Sequence, residues 1–385
     1  MRWVARVPVV AAATTQTMPP RKEGLGYGGE VDVANHYNNF KDRHRTLTSG
    51  SDILNLKNLN NWVKSVLIGK HIRSNGAVLD LACGKGGDML KFQAGKCTLY
   101  VGIDIAIASV RDALNRYNGY DGRPGMKFAA TLMVGDFCKD SLDAALPAGQ
   151  YFDLVSCQFA LHYSFVSEER ARAFLRNVSA RLRPGGVFVG TTTDANVLVR
   201  RLREAPALEF GNVHYNVRFG AAHAAKKFPA DAPFGISYRF SLTESVEDCE
   251  EYLVHFPTLR RLAEEHGLEL VSVQNFTDLF AAEWRSNKPL LDKMRVLPPN
   301  GFFPDAQWEV AHLYCGFAFR KRDDGAPPPP PLPSGLGHRR LTLDDIVILQ
   351  DVAAGAGGGR KRPRPDEETR QPVKYEAAGG DSLFD

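Results

Sequence analysis

Cysteine is scarce: six residues among 385, at Cys83, Cys97, Cys138, Cys157, Cys249 and Cys315. None is spaced as Cys-x-x-Cys, which argues against a zinc ribbon and against a disulfide scaffold and fits a reducing compartment. The chain also lacks any uninterrupted apolar run near the ~20 residues that a membrane-spanning helix needs. No large excess of one charge exists, since 48 Lys and Arg against 44 Asp and Glu leave only +4. Arg2, Arg6, Arg21 and Lys22 lie in an acid-free stretch and account for that excess, so the remaining chain is neutral. Such a composition does not describe a protein that coats nucleic acid with its whole surface. What is there is a globular profile, 44% hydrophobic and 24% charged, with enough length to bury a large core.

Three regions separate by composition. Residues 1–30 are expected to be a disordered N-terminal extension. Residues 1–18 have the acid-free, Arg-bearing character of an organelle transit peptide, but with two arginines and no convincing cleavage site the extension is preferred. Residues 323–385 form a low-complexity tail, with prolines at 327–331, an Ala/Gly run at 354–359 and the basic cluster Arg360-Lys361-Arg362-Pro363-Arg364. It is expected to be disordered apart from a short helix at 341–349.

Between them, residues 31–322 alternate strand-like and helix-like patterns. Strands are expected at 77–81, 99–103, 131–134, 152–156 and 187–190, with helices through Phe92, over 108–117 and over 167–182. The last of these helices is expected to stop at Arg183-Pro184-Gly185-Gly186. Two late strands are expected at 268–273 and 310–319. This order specifies an α/β fold, a mostly parallel sheet with helices on both faces.

The sharpest local signal is Val78-Leu79-Asp80-Leu81-Ala82-Cys83-Gly84-Lys85-Gly86-Gly87-Asp88. A strand ends, glycines let the backbone pass close to a ligand, and a helix begins. Asp104 follows Gly84 by twenty residues at the tip of the second strand, where a carboxylate can accept both ribose hydroxyls of an adenosine. The glycines alone could serve only the turn; the acid at the right spacing weakens that reading. Asp80 and Asp88 make the surroundings acidic, which suits a sulfonium and an amino-acid end better than a pyrophosphate. With Asp136, these acids are expected at four successive loops on one rim of the sheet. A methyltransferase is therefore preferred to a dehydrogenase.

Two further segments are more specific: Asn58-Leu59-Asn60-Asn61-Trp62-Val63-Lys64 before the first strand, and Gln158-Phe159-Ala160-Leu161-His162-Tyr163 off the fourth. Together with Cys83-Gly84-Lys85-Gly86-Gly87-Asp88 and His36-Tyr37-Asn38, they resemble the eukaryotic mRNA cap guanine-N7 methyltransferases. Phe210-Gly211-Asn212, Glu251-Tyr252-Leu253-Val254-His255-Phe256-Pro257 and Leu313-Tyr314-Cys315-Gly316 resemble the same family, so the likeness spans residues 31–322. It implies a Rossmann-like S-adenosylmethionine methyltransferase sheet with an antiparallel last strand.

The resemblance also implies roles. Lys64, Ala82, Gly84, Asp104, Asp136, Gln158 and Tyr163 would bind S-adenosylmethionine. Asn60, Asn61, Lys85, Lys91, Arg116, His162, Glu251 and Tyr314 would bind the cap. No metal is implied. Ala82 departs from the commoner glycine and should be tolerated unless the position needs a positive φ.

Read without the family, Glu251 could be a surface charge in an acidic run and Tyr314 a core residue. Residues 57–96 hold seven bases against Asp80 and Asp88, a local +5 suited to a triphosphate, although any one lysine could simply face solvent. No catalytic acid or base is required, because guanine N7 presents a lone pair and carries no proton; His162, Tyr163 and Glu251 stand closest to the chemistry. The chain lacks the Lys-x-Asp-Gly nucleophile motif of guanylyltransferases, so only methylation is expected. Implied partners are 5′-capped mRNA and, through the Pro-rich tail, other capping enzymes or the transcription machinery, with no membrane. The implied location is the nucleus. Competing readings are a related methyltransferase acting on a small molecule or another RNA position, and an adaptor working through its tail.

Overall fold

Apolar residues recur every three or four positions from Leu54 to His71, and the first described helix, α1 (Leu54–His71), buries Leu56, Leu59, Trp62, Val63, Val66 and Leu67 on one face. The opposite face keeps Asn60, Asn61 and Lys64 together. This computed structural model describes residues 50–120, 122–325, 330–332 and 336–350. His36-Tyr37-Asn38, the N-terminal extension and the basic cluster at 360–364 lie outside the described residues.

The elements that follow alternate: β1 (Ala77–Leu81), α2 (Met89–Ala94), β2 (Leu99–Asp104), α3 (Ile107–Asn118), β3 (Ala129–Val134) and β4 (Phe152–Gln158). A 3-10 turn (Leu161–Val166), α4 (Glu168–Ser179), β5 (Leu182–Thr193) and α5 (Ala195–Glu204) come next. Every residue of β1 and β2 is buried, as expected of central parallel strands covered on both faces. A meander of four short antiparallel strands then departs from the pattern: β6 (Glu209–Gly211), β7 (Tyr215–Phe219), β8 (Ser237–Leu242) and β9 (Val246–Tyr252). The chain returns through α6 (Phe256–Glu265), β10 (Leu268–Asn275), α7 (Phe276–Glu283), α8 (Lys288–Lys293), α9 (Asp305–Ala311) and β11 (Tyr314–Lys321), and β12 (Val347–Ile348) is the last strand described.

The large sheet has eight strands in the order β10-β11-β5-β4-β1-β2-β3-β12. Only β11 runs against its neighbours, β5 and β10. Strand order reverses between β1 and β4, which pair in parallel. The crevice above such a reversal is where open α/β sheets bind ligands. One core lies under each face of the sheet, the first around Leu79, Ile103, Phe188 and Phe317 and the second around Tyr100, Val110, Leu154 and Val189. A third packs Trp62 of α1 against the small sheet and α7, through Tyr238, Phe240, Phe276 and Tyr314.

Three expectations need correction. The helix expected over 167–182 ends at Ser179, and Leu182 already begins β5, with Arg183-Pro184-Gly185-Gly186 inside a register shift against β4. The strand expected over 310–319 is a helix up to Ala311 and a strand only from Tyr314, because Pro304 starts a helical turn that the apolar run conceals. At 341–349 the structure has a 3-10 turn (Leu343–Asp345) and then β12, not a helix.

Packing around β5 is tight enough to test. A Cβ added at Gly190 would lie 2.6 Å from the Cys157 carbonyl oxygen and collide with the Phe317 ring. Gly190→Ala should therefore destabilise the fold by about 1–3 kcal/mol, read as a lower denaturation midpoint at unchanged slope.

Candidate active site

Between β1 and α2 the chain turns through Ala82 (φ 60°), Gly84 (φ 51°) and Gly86 (φ 71°). Left-handed backbone suits the two glycines and strains Ala82, so the stated condition for its intolerance is met. A Cβ added at Gly84 would meet open space, so the backbone there is bare toward the crevice. Asp104, at the tip of β2, accepts the Gly84 N–H at 2.8 Å and the Ala106 N–H at 2.9 Å. Its carboxyl is buried and shifted upward by that burial, against the pull of the two amides.

Two more acids lie beneath the turn. Asp80 is 2% exposed and accepts the Tyr100 hydroxyl at 3.0 Å. Burial, and then the nearby charge of Asp88, push its carboxyl up to about 8. Asp88 shows the opposite outcome: burial alone would raise it, but Lys64 and Lys91, each at 2.8 Å, hold it below the usual carboxylate range. Lys91 also donates to Asn61 Oδ1 at 3.3 Å, which ties the polar face of α1 to α2.

The second half of the site grows from β4. Gln158 bridges Ser156 Oγ and Thr191 Oγ1, both at 3.1 Å. Phe159 then takes φ 57°, its N–H held by the Thr191 carbonyl, and this kink sends the 3-10 turn across the strand ends. His162 is 3% exposed there, and neither ring nitrogen has a hydrogen-bond partner. Its Nε2 lies 3.6 Å from Glu251 Oε1. Burial keeps the imidazole below its ordinary pKa despite that carboxylate, so it is neutral near pH 7. Glu251, on β9, is 4% exposed, and its Oε2 accepts the Tyr238 hydroxyl at 2.7 Å. Tyr238 in turn meets Thr193 Oγ1 at 2.9 Å. Tyr314 pairs in register with Thr193 and is buried edge-on against Phe159, with ring centroids 5.1 Å apart.

The structure thus brings the expected residues to one rim. Lys64, Ala82, Gly84, Asp104 and Gln158 border the turn, and the Gly135 N–H, bonded to the Asp104 carbonyl at 3.1 Å, sets Asp136 beside them. The Asp136 carboxylate is held by Arg170 at 2.8 Å. Tyr163 packs on His162 at 4.3 Å between ring centroids and reaches Cys249 Sγ at 3.4 Å. Asn60 Oδ1 is buried without a partner. Lys85 meets Asp112 of α3 at 3.4 Å, and Arg116, on the same helix, adds to the lowering of Lys91 that burial begins.

Two readings change. Asp80 lies near the end of β1 and Asp88 at the start of α2, either side of one connection, so the acids mark three successive connections and not four. The +5 of residues 57–96 is mostly spent on ion pairs with acids from outside the segment, because Lys57 meets Glu244, Lys70 meets Glu283, Arg73 meets Asp153 and Lys85 meets Asp112. Thr193, Tyr238 and Arg170 escaped notice in the sequence. Tyr238 stands opposite Glu251 in the β8–β9 register, a signal visible only once the hairpin is known. Among the described residues, no group of three His, Cys, Asp or Glu side chains could hold a metal ion, and no helix is long and apolar enough to cross a membrane.

The sequence model of the mRNA (guanine-N(7))-methyltransferase domain matches residues 25–322. The chain is 45% identical over 347 residues to mRNA cap guanine-N(7) methyltransferase 1 of Oryza sativa subsp. japonica, covering 85% of this chain and 93% of that protein. It is 46% identical over 330 residues to mRNA cap guanine-N(7) methyltransferase 1 of Arabidopsis thaliana, covering 82% and 88%. The mRNA cap guanine-N(7) methyltransferase of Schizosaccharomyces pombe is 39% identical over 313 residues, covering 78% and 85%.

The buried acids carry a pH dependence of stability. Asp80 titrates near 8 when folded and near an ordinary aspartate when unfolded, so between pH 4 and 8 the folded chain binds more protons. Its contribution to stability is therefore present at low pH and lost as pH rises toward 8. Asp80→Asn should flatten this fall, leaving the variant less sensitive by on the order of 2 kcal/mol across pH 6–8; parallel melting curves for parent and variant at several pH values would check it.

Proposed function

This chain belongs to the mRNA (guanine-N(7))-methyltransferase family, and from that premise we propose how its residues divide the work. The protein is an enzyme that methylates the mRNA cap at guanine N7, with S-adenosylmethionine as methyl donor. When bound, the donor supplies an electrophilic methyl group on a sulfonium. The donor side of the site fits it chemically: bare backbone at Gly84, a fixed carboxylate at Asp104 and the buried Asp80 beneath the turn.

Asp104 keeps lone pairs free for ribose hydroxyls after accepting its two amide N–H groups. Asp136, held by Arg170, faces the adenine amine. Lys64, Ala82, Gly84, Gln158 and Tyr163 border the rest of the donor, and Asp80 gives up its proton to become an anion beside the donor's cationic end. On the cap side, Glu251 accepts the N1–H and exocyclic amine of guanine, with neutral His162 and Tyr314 beside the base. Asn60, Asn61, Lys85, Lys91 and Arg116 serve the ribose and the triphosphate bridge. Because Lys85 and Lys91 already have carboxylate partners in Asp112 and Asp88, the phosphates enter by exchanging partners.

The buried His162–Glu251 pair carries this reading. His162 has two unpartnered ring nitrogens, and the nearby Glu251 carboxylate is fixed by Tyr238. Buried polar groups without partners are costly unless a ligand supplies them. A base edge with both donors and acceptors does so here. Guanine N7 needs no base, so the protein's task is alignment of N7, methyl carbon and sulfur, worth about 7–11 kcal/mol of barrier. Glu251 also faces positive charge as it develops on the guanine. The site of action is the nucleus, and the prolines near 330 would dock other capping enzymes or the transcription machinery.

Labelled S-adenosylmethionine should transfer its methyl group to GpppG-capped RNA and not to RNA carrying ApppG or a cap already methylated at N7. Equal transfer to the N7-blocked cap would contradict the reading. Glu251→Gln should lower kcat/KM for capped RNA by about 10²- to 10³-fold and leave donor affinity, measured by calorimetry, close to the parent value.

A further inference from the structure

We propose that residues 336–350, beyond the matched family domain, position the donor half of the site: they form a strap that sets the Gly135–Asp136 loop and with it the affinity for S-adenosylmethionine. This rests on the reading of Asp136 as the adenine contact.

The segment straddles the edge of the large sheet and is anchored on both faces. On one face Leu341 is 3% exposed and packs into the core around Tyr117 and Phe128. Asn118 binds its backbone in both directions, donating to the Leu341 carbonyl at 2.7 Å and accepting its N–H at 2.9 Å. His338 lies on the Tyr117 ring, with centroids 5.0 Å apart. The turn is closed by Thr342 and Asp345, whose carboxylate accepts the Thr342 N–H at 2.7 Å and Arg339 at 2.9 Å. Val347 and Ile348 then pair in parallel with Met133 and Val134, so β3 is not left as an open edge.

On the other face Leu349 is 4% exposed and seats directly on Gly135. A Cβ added at Gly135 would lie 2.6 Å from Leu349 Cδ1, so only glycine admits this contact. Gly135 is the residue whose N–H bonds the Asp104 carbonyl, and Asp136 follows it. The strap therefore bears on the backbone that joins the ribose-side acid to the adenine-side acid. Leu349→Ala removes that support while β12, the Asn118 clasp and the buried Leu341 hold the segment in place.

Steady-state kinetics of the full chain, run well below its melting temperature, read the effect as a split. Leu349→Ala should raise the KM for S-adenosylmethionine about five- to tenfold, with the KM for capped RNA moving by less than about twofold. Leu349→Met, which keeps the volume, should restore the parent value. A donor KM unchanged in Leu349→Ala, or both KM values rising together, overturns the proposal. Asp136→Ala, measured alongside, separates the two claims. If Asp136→Ala leaves donor affinity intact while Leu349→Ala lowers it, the adenine role of Asp136 fails and the strap stands; the reverse pattern removes the strap and keeps Asp136.

Discussion

Three buried carboxylates under one glycine-rich turn are the constraint to which the rest of this structure answers. An unpaired buried charge costs several kcal/mol, so each acid must be paired, hydrogen-bonded or protonated. Asp88 is paired, and this requires α1 to deliver Lys64 and α2 to deliver Lys91 to the same point. Asp104 is held by backbone amides, which requires the turn and the start of α3 to meet at one carboxylate. Asp80 has the hydroxyls of Tyr100 and Ser156 and a raised affinity for a proton. The three solutions differ in what they leave available: Asp88 is consumed by structure, Asp104 keeps lone pairs, and Asp80 keeps a proton that a nearby cation can displace.

The two sheets divide the site between them. In the proposed site the parallel sheet supplies the donor side through its strand ends, where its order reverses between β1 and β4. The small antiparallel sheet supplies Glu251 and its partner Tyr238. The two are stitched where Thr193, Tyr238, Glu251 and His162 follow one another across the boundary. Tyr314 enters the same region because β11 runs antiparallel beside β5 and places it opposite Thr193. On the proposed reading, alignment of donor and acceptor is a property of how the sheets are joined, as a reaction without a general base demands.

Much of this was legible in the sequence for identifiable reasons. Strands β1 and β2 read clearly because both faces are buried, so nearly every residue is apolar, and the acid near the end of each strand, Asp80 and Asp104, stood out against that run. The glycine turn announced its own backbone. The helix over 305–311 did not, because Trp308, Val310 and Ala311 merge with the apolar strand after them. The meander at 209–252 was equally hidden: β6 is three residues long, and β9 is so acidic that without the family resemblance Glu251 reads as a surface charge, whereas it is buried. Charge counting failed for a related reason. It saw the lysines of 57–96 and could not see Asp112, Glu244 and Glu283 folding back onto them.

The claim that the acidic floor exists to meet a cationic donor has one direct test: calorimetry of S-adenosylmethionine binding near pH 7 in buffers of different ionisation enthalpy. With Asp80 near 8 in the free protein and driven to its anion by the sulfonium, binding should release about 0.5–1 proton, and the observed heat should vary with the buffer accordingly. S-adenosylhomocysteine, which has no sulfonium charge, should release less, and Asp80→Asn should remove the buffer dependence. A heat of binding that is the same in every buffer, for donor and uncharged product alike, would contradict the account.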